Sequence, residues 1–125
     1  MIVGMGTDIV DVRRINNIIN KYGKKFKKKC FTKIEIEKSE KRSNSVNSYA
    51  KRYAAKEACA KALGTGLYRE GVYPASITIT HTESGKPMFM MNDLLTKFLK
   101  QSSAKNIFLS ISDTNQHSIA MVIME

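Results

Sequence analysis

The chain has no tryptophan, two prolines and two cysteines, and its hydrophobic residues gather into no long run. Each shortage excludes something. No apolar stretch approaches the ~20 residues that a membrane-spanning helix needs, so a soluble protein is expected. Cys30 and Cys59 lack metal-ligand spacing and are too few for a disulfide framework, which fits a reduced, cytoplasmic setting. The opening MIVGMGTDIV has no basic leader and holds Asp8, so it does not read as a signal peptide. There is no Pro/Ser linker, repeat or low-complexity tail, and 125 residues fit one domain, 1–125, with a modest core. Acidic residues are also scarce. Lys+Arg 21 against Asp+Glu 11 gives a net charge of +10, which fits nucleic acid, anionic lipid, a polyphosphate ligand or an acidic protein. Residues 1–33 concentrate the excess, with nine Lys/Arg against Asp8 and Asp11. The KKFKKK run reads equally as a solvated lysine face. A nucleic-acid module would be expected to show an aromatic-interleaved basic face or a helix-turn-helix signal, and neither is present.

What is present alternates between strand and helix periodicity. Residues 2–10 predict a buried strand whose two glycines permit close backbone approach. Asp11 caps a predicted helix over 12–22, with Val12, Ile15, Ile18, Ile19 and Tyr22 as its apolar stripe and Gly23 closing it. Thr32 followed by Glu35 has capping-box form and predicts a helix over 33–41. The stretch 44–66, rich in Ala, Lys and Glu, is the longest helical signal and stops at Gly64. Residues 75–82 and 88–91 predict a hairpin about the ESGKP turn, and Asn92 caps a helix carrying Leu94, Leu95, Phe98 and Leu99. Residues 106–113 and 117–124 predict a second hairpin, the last strand being central or at a subunit interface. The expected fold class is α+β, a largely antiparallel sheet packed against a long central helix and shorter helices.

On a wheel at ~100° per residue, Val46, Ala50, Tyr53, Ala54, Glu57 and Lys61 share one face of the long helix, and Arg52 and Lys56 point elsewhere. That face is otherwise small or apolar, where a carboxylate is costly unless paired or bound to a metal. The plain alternative is an exposed i,i+4 Glu–Lys pair. Asp8 interrupts the first strand. If strand and helix adjoin, Asp8 and Glu57 converge as two oxygen ligands of the kind Mg²⁺ takes together with substrate phosphates; an edge or capping aspartate is the bland reading. His81 and His117 read as ordinary histidines, and the GTG of residues 64–66 as a helix stop.

The segments GMGTDIVDVRRI, FTKIE, KRYAAKEACAKALGTG, SGKP and LSISD…HSIAMVIME, in this order and spacing, resemble the holo-[acyl-carrier-protein] synthase family across essentially the whole chain. The resemblance implies transfer of 4′-phosphopantetheine from coenzyme A to a serine of apo-acyl carrier protein, with release of adenosine 3′,5′-bisphosphate, in support of fatty acid biosynthesis. It implies a cytoplasmic homotrimer with sites between subunits, Mg²⁺ on Asp8 and Glu57, and Lys61 as a further catalytic position. Arg52, Lys61, Gly64, Thr65, Gly66, Gly85, Lys86 and Pro87 then line the coenzyme A site, and Arg14, with Ile18 and Lys21, docks the carrier. Nucleic acid and membrane are not implied partners. The sequence departs from the family at Asp113, where relatives often carry His after an SxS-like stretch. A chain that only scaffolds a carrier protein is the alternative this substitution leaves open.

Overall fold

The computed structural model describes residues 1–125. Strand β1 (Gly4–Asp11) leads directly into helix α1 (Val12–Tyr22), because the Asp11 side chain accepts from the Arg13 amide and caps the helix. Gly23, at φ 52°, ends α1 and opens a second helix, α2 (Lys24–Cys30). The sequence reading assigned no element to α2. Lysines are good helix formers, and Phe26 and Cys30 face inward while Lys24, Lys25, Lys28 and Lys29 stay exposed. Helix α3 (Lys33–Glu40) starts as expected, with Glu35 Oε1 accepting from the Thr32 amide at 3.0 Å. The long helix α4 (Ser45–Leu63) is capped by the Asn44 side chain and ends at Gly64 in the left-handed conformation.

The chain then crosses a single 3-10 turn (Pro74–Ser76) into the short antiparallel pair β2 (Ile79–His81) and β3 (Pro87–Phe89). The first hairpin is thus shorter than its alternating sequence predicted, because Pro74, with no amide hydrogen to give a ladder, seeds a helical turn over residues that read as strand. Helix α5 (Asp93–Gln101), capped by Asn92, precedes the closing hairpin of β4 (Ile107–Asp113) and β5 (His117–Met124). β5 is the central strand of a three-stranded antiparallel sheet, β1-β5-β4. The fold is α+β, as its periodicities indicated, with two separate sheets in place of one. No helix is long and apolar enough to cross a membrane.

The core is the interface between α4 and the inner face of this sheet. Gly4, Gly6, Asp8 and Val10 alternate toward the helix, as do Ser118, Ala120, Val122 and Met124 of β5. At Gly6 a β-carbon would fall on the Ala58 carbonyl oxygen and within 2.8 Å of the Ala62 amide nitrogen, so glycine lets strand and helix touch backbone to backbone. The expected close approach is thereby accounted for.

One expectation about α4 is corrected. The wheel placed Arg52 and Lys56 away from its packed face, yet Lys56 is wholly buried and Arg52 is 5% exposed. The helix is covered on both sides, by the sheet on one and by α3 and the segment around Pro74–Ile79 on the other. Alanines at 50, 54, 55, 58, 60 and 62, all buried, mark an enclosed helix rather than one with a single inner stripe.

Candidate active site

The register of β1 fixes where Asp8 lies. Two residues beyond Gly6, it faces the C-terminal half of α4, where Glu57 and Lys61 stand one turn apart. Lys61 Nζ donates to Asp8 Oδ1 at 3.2 Å and to the Thr7 carbonyl at 2.9 Å. Glu57 is partly buried beside Asp8, and its carboxyl is pushed above the ordinary value of 4.5, first by burial and then by the negative charge of Asp8. Tyr53 and the cations Lys61 and Arg14 pull in the other direction. Asp8, Glu57 and Lys61 therefore come together. Lys61 is half exposed rather than packed, which leaves its ammonium open to a ligand.

The raised Glu57 pKa has a thermodynamic consequence. A carboxyl that holds its proton more tightly in the folded chain than in the unfolded one contributes stability below pH 4.5. That contribution is lost as pH rises through the folded value. At neutral pH in chelator, the isosteric Glu57→Gln is therefore expected to melt at a higher temperature than wild type, with the difference closing toward pH 4. A Gln variant that melts lower at neutral pH would contradict the assignment.

At the other end of α4 a second feature opens, a cleft of about 550 Å³. Lys38 and Lys41 with Arg42 come from the end of α3 and the turn after it, Lys51 and Arg52 from α4, and Gly85 and Pro87 from the β2–β3 turn. Five cations face a single carboxylate, Asp113, which accepts from the Asn47 side-chain amide at 3.1 Å. His81 lines the same cleft and is held below its ordinary 6.5, by burial first and then by the positive charges of Arg52, Lys38, Lys51 and Arg42. The Arg52 Nε–H is buried without a protein partner. Such a cleft favours a ligand carrying several negative charges.

Of the residues the resemblance assigned to coenzyme A, the cleft brings together Arg52, Gly85 and Pro87 but not Lys61, Gly64, Thr65, Gly66 or Lys86. Gly64 and Gly66, at φ 85° and 71°, terminate α4, donating to the Lys61 and Ala60 carbonyls. Lys86 holds the hairpin turn through its backbone amide and the Thr82 hydroxyl. Arg14, Ile18 and Lys21 share one groove along α1. Sequence reasoning missed Lys38, Lys41, Arg42, Lys51 and His81. Only the crowding of cations at 38–42 and 51–52 hinted at them, and folding α3 back on α4 is what makes those two clusters one.

Two adjacent carboxylates able to hold a hard cation, and a basic cleft on the same helix, fit chemistry on a phosphate ester. The model of the 4′-phosphopantetheinyl transferase superfamily matches residues 4–122, and the chain belongs to that family. It is 42% identical to a holo-[acyl-carrier-protein] synthase of Agrobacterium fabrum over 100% of this chain and 96% of the relative. The crystal structure of holo-[acyl-carrier-protein] synthase from Neisseria meningitidis superimposes with TM-score 0.92 at 40% identity, covering 100% and 99% of the two chains. A holo-(acyl-carrier-protein) synthase from Bacillus anthracis, solved in complex with CoA (3′,5′-ADP), gives TM-score 0.81 at 31% identity over 99% and 96%.

Proposed function

We propose that this chain transfers the 4′-phosphopantetheine group of coenzyme A to a serine of apo-acyl carrier protein, releasing adenosine 3′,5′-bisphosphate and supporting fatty acid biosynthesis in the cytoplasm. The observation that carries the reading is the convergence of Asp8, Glu57 and Lys61 on a helix whose other end opens into the basic cleft. The cleft suits the phosphates of the adenosine 3′,5′-bisphosphate portion, with Arg52, Gly85 and Pro87 in its wall. Gly64, Thr65, Gly66 and Lys86 extend the same coenzyme site in this reading.

Asp8 and Glu57 fit a bound Mg²⁺. Both are oxygen donors, burial and then the negative charge of Asp8 raise the Glu57 pKa, and a cation, the Lys61 ammonium, already sits 3.2 Å from Asp8. Bound there, the ion would neutralise charge on the pyrophosphate. Glu57 accepts the proton of the carrier serine, whose oxygen forms the new bond to phosphorus as the bond to the departing phosphate breaks. Lys61 offsets charge on the phosphate oxygens and gives the leaving phosphate a proton. Arg14, Ile18 and Lys21 present a basic, partly apolar helix face to the acidic carrier. The deciding assay mixes protein, apo-carrier, coenzyme A and Mg²⁺ and reads the carrier mass. A phosphopantetheine increment that vanishes with chelator is expected; an unmodified carrier refutes transfer.

A homotrimer with shared sites belongs to the same reading. Arg52 and Lys61 are separated by about 13 Å along the helix, so one subunit keeps its basic cleft and its carboxylates apart. The outer face of the three-stranded sheet offers the contact. Met5, Ile9, Phe108, Ile119 and Met121 stand there between 43% and 63% exposed, an apolar patch of the kind that marks interfaces. Ile119→Lys combined with Met121→Lys is expected to convert a trimer into an inactive monomer by light scattering. A trimeric, active double variant would place the interface elsewhere.

A further inference from the structure

One buried charged network lies outside the reacting groups. Glu35 and Lys56 are wholly buried, and Arg52 nearly so. Lys56 has three N–H donors and three acceptors: Glu35 Oε1 at 2.7 Å, the Pro74 carbonyl at 2.7 Å, and the Ile77 carbonyl. Glu35 has more to hold than its helix cap. Besides the Thr32 amide, it accepts from the Ile79 amide at 3.0 Å and pairs with Arg52 Nη1 at 3.6 Å. Arg52 Nη1 in turn donates to the Ile79 carbonyl at 2.6 Å. Ile79 is thus gripped on both sides, its amide by Glu35 and its carbonyl by Arg52.

Stability alone explains this poorly, since a well-packed apolar pair commonly holds a core as well as a buried ion pair. The network ends, however, on two residues of the basic cleft wall, Arg52 and Ile79. An arginine held at one nitrogen has fewer guanidinium orientations left to lose, which lowers the cost of ordering it on a phosphate ligand. We propose that Glu35, with Lys56 as its counter-charge, is a positioning residue that sets Arg52 and the β2 backbone for anion recognition in the cleft. This rests on the cleft being the coenzyme A site.

Coenzyme A is the probe, with its dissociation constant read by calorimetry and KM measured separately for coenzyme A and carrier. Glu35→Gln, which keeps size and one acceptor oxygen, is expected to weaken coenzyme A about tenfold in both Kd and KM and to leave the carrier KM unchanged. Added to Arg52→Ala, it should cost clearly less than it does alone, because Arg52 is gone and only the hold on the Ile79 amide is left to lose. The paired variant Glu35→Gln/Lys56→Met removes both charges together and covers the case in which the single variant fails to fold. It is expected to stay folded and show the same tenfold loss. If Arg52→Ala and Lys51→Ala weaken coenzyme A while a folded Glu35 variant binds it like wild type, the positioning role is wrong and the cleft stands. If neither cleft variant changes coenzyme A binding, the site itself is elsewhere and the positioning role falls with it.

Discussion

Asp8→Asn and Glu57→Gln are each expected to lower the rate of phosphopantetheine transfer about a thousandfold, within the range that a positioned base or charge-stabilising group supplies. Both changes conserve shape. The amide oxygen introduced at position 8 would still accept from Lys61, and the amide introduced at position 57 can still meet Tyr53, so the loss tests charge and not packing. A chain that has lost one of two carboxylates keeps Lys61 and the basic cleft, and should therefore still bind coenzyme A. The two variants separate in their response to added metal. Asp8→Asn leaves Glu57 free of its neighbour's repulsion, which lowers the Glu57 pKa and keeps a base. Some activity is then recoverable at high Mg²⁺. Glu57→Gln removes ligand and base together and should not recover. Transfer near the wild-type rate in either variant would remove the carboxylate pair from the mechanism.

How much of this was legible in the sequence depends on which residues were asked to meet. Caps and turns were read well: Asp11 and Asn92 sit at helix starts and Gly23 and Gly64 at helix ends, because capping is decided within a few residues. Asp8, Glu57 and Lys61 were legible because two short periodicities, strand and helix, each carried an anomalous charge. The Glu35–Lys56–Arg52 network was not. It joins α3 to α4 and closes on the backbone of Pro74, Ile77 and Ile79, and the helical wheel that favoured the Glu57 face assumed that α4 buries only one side. The buried alanines around the whole circumference of α4 were the available clue. The lysine helix α2 was missed for a related reason. Its inward apolar residues are Phe26 and Cys30 alone, too little apolar periodicity to register against five lysines.

The largest expected effect on stability lies at Gly6, where substitution would act on fold and chemistry together. Its φ is not in the left-handed region, so Gly6→Ala imposes no backbone strain and reduces the entropy of the unfolded chain, a change that by itself would stabilise. Against this, the new methyl would fall on the Ala58 carbonyl oxygen, 2.8 Å from the Ala62 amide nitrogen and 2.9 Å from Lys61 Cβ. The first two are helix backbone atoms that cannot swing aside, so β1 must lift from α4. Overpacking of this kind costs about 3 kcal/mol. The displacement also reaches the site, since Asp8 lies two residues along the same strand and Glu57 and Lys61 flank Ala58 on the helix. Transfer by Gly6→Ala should therefore fall even at temperatures where circular dichroism shows the chain folded. Thr7→Ala, on the outward face of the same strand, should leave the fold of β1 against α4 intact. A Gly6→Ala protein that melts with the wild type would mean that strand and helix can part without loss, and the close backbone contact would then not be what brings Asp8 to Glu57.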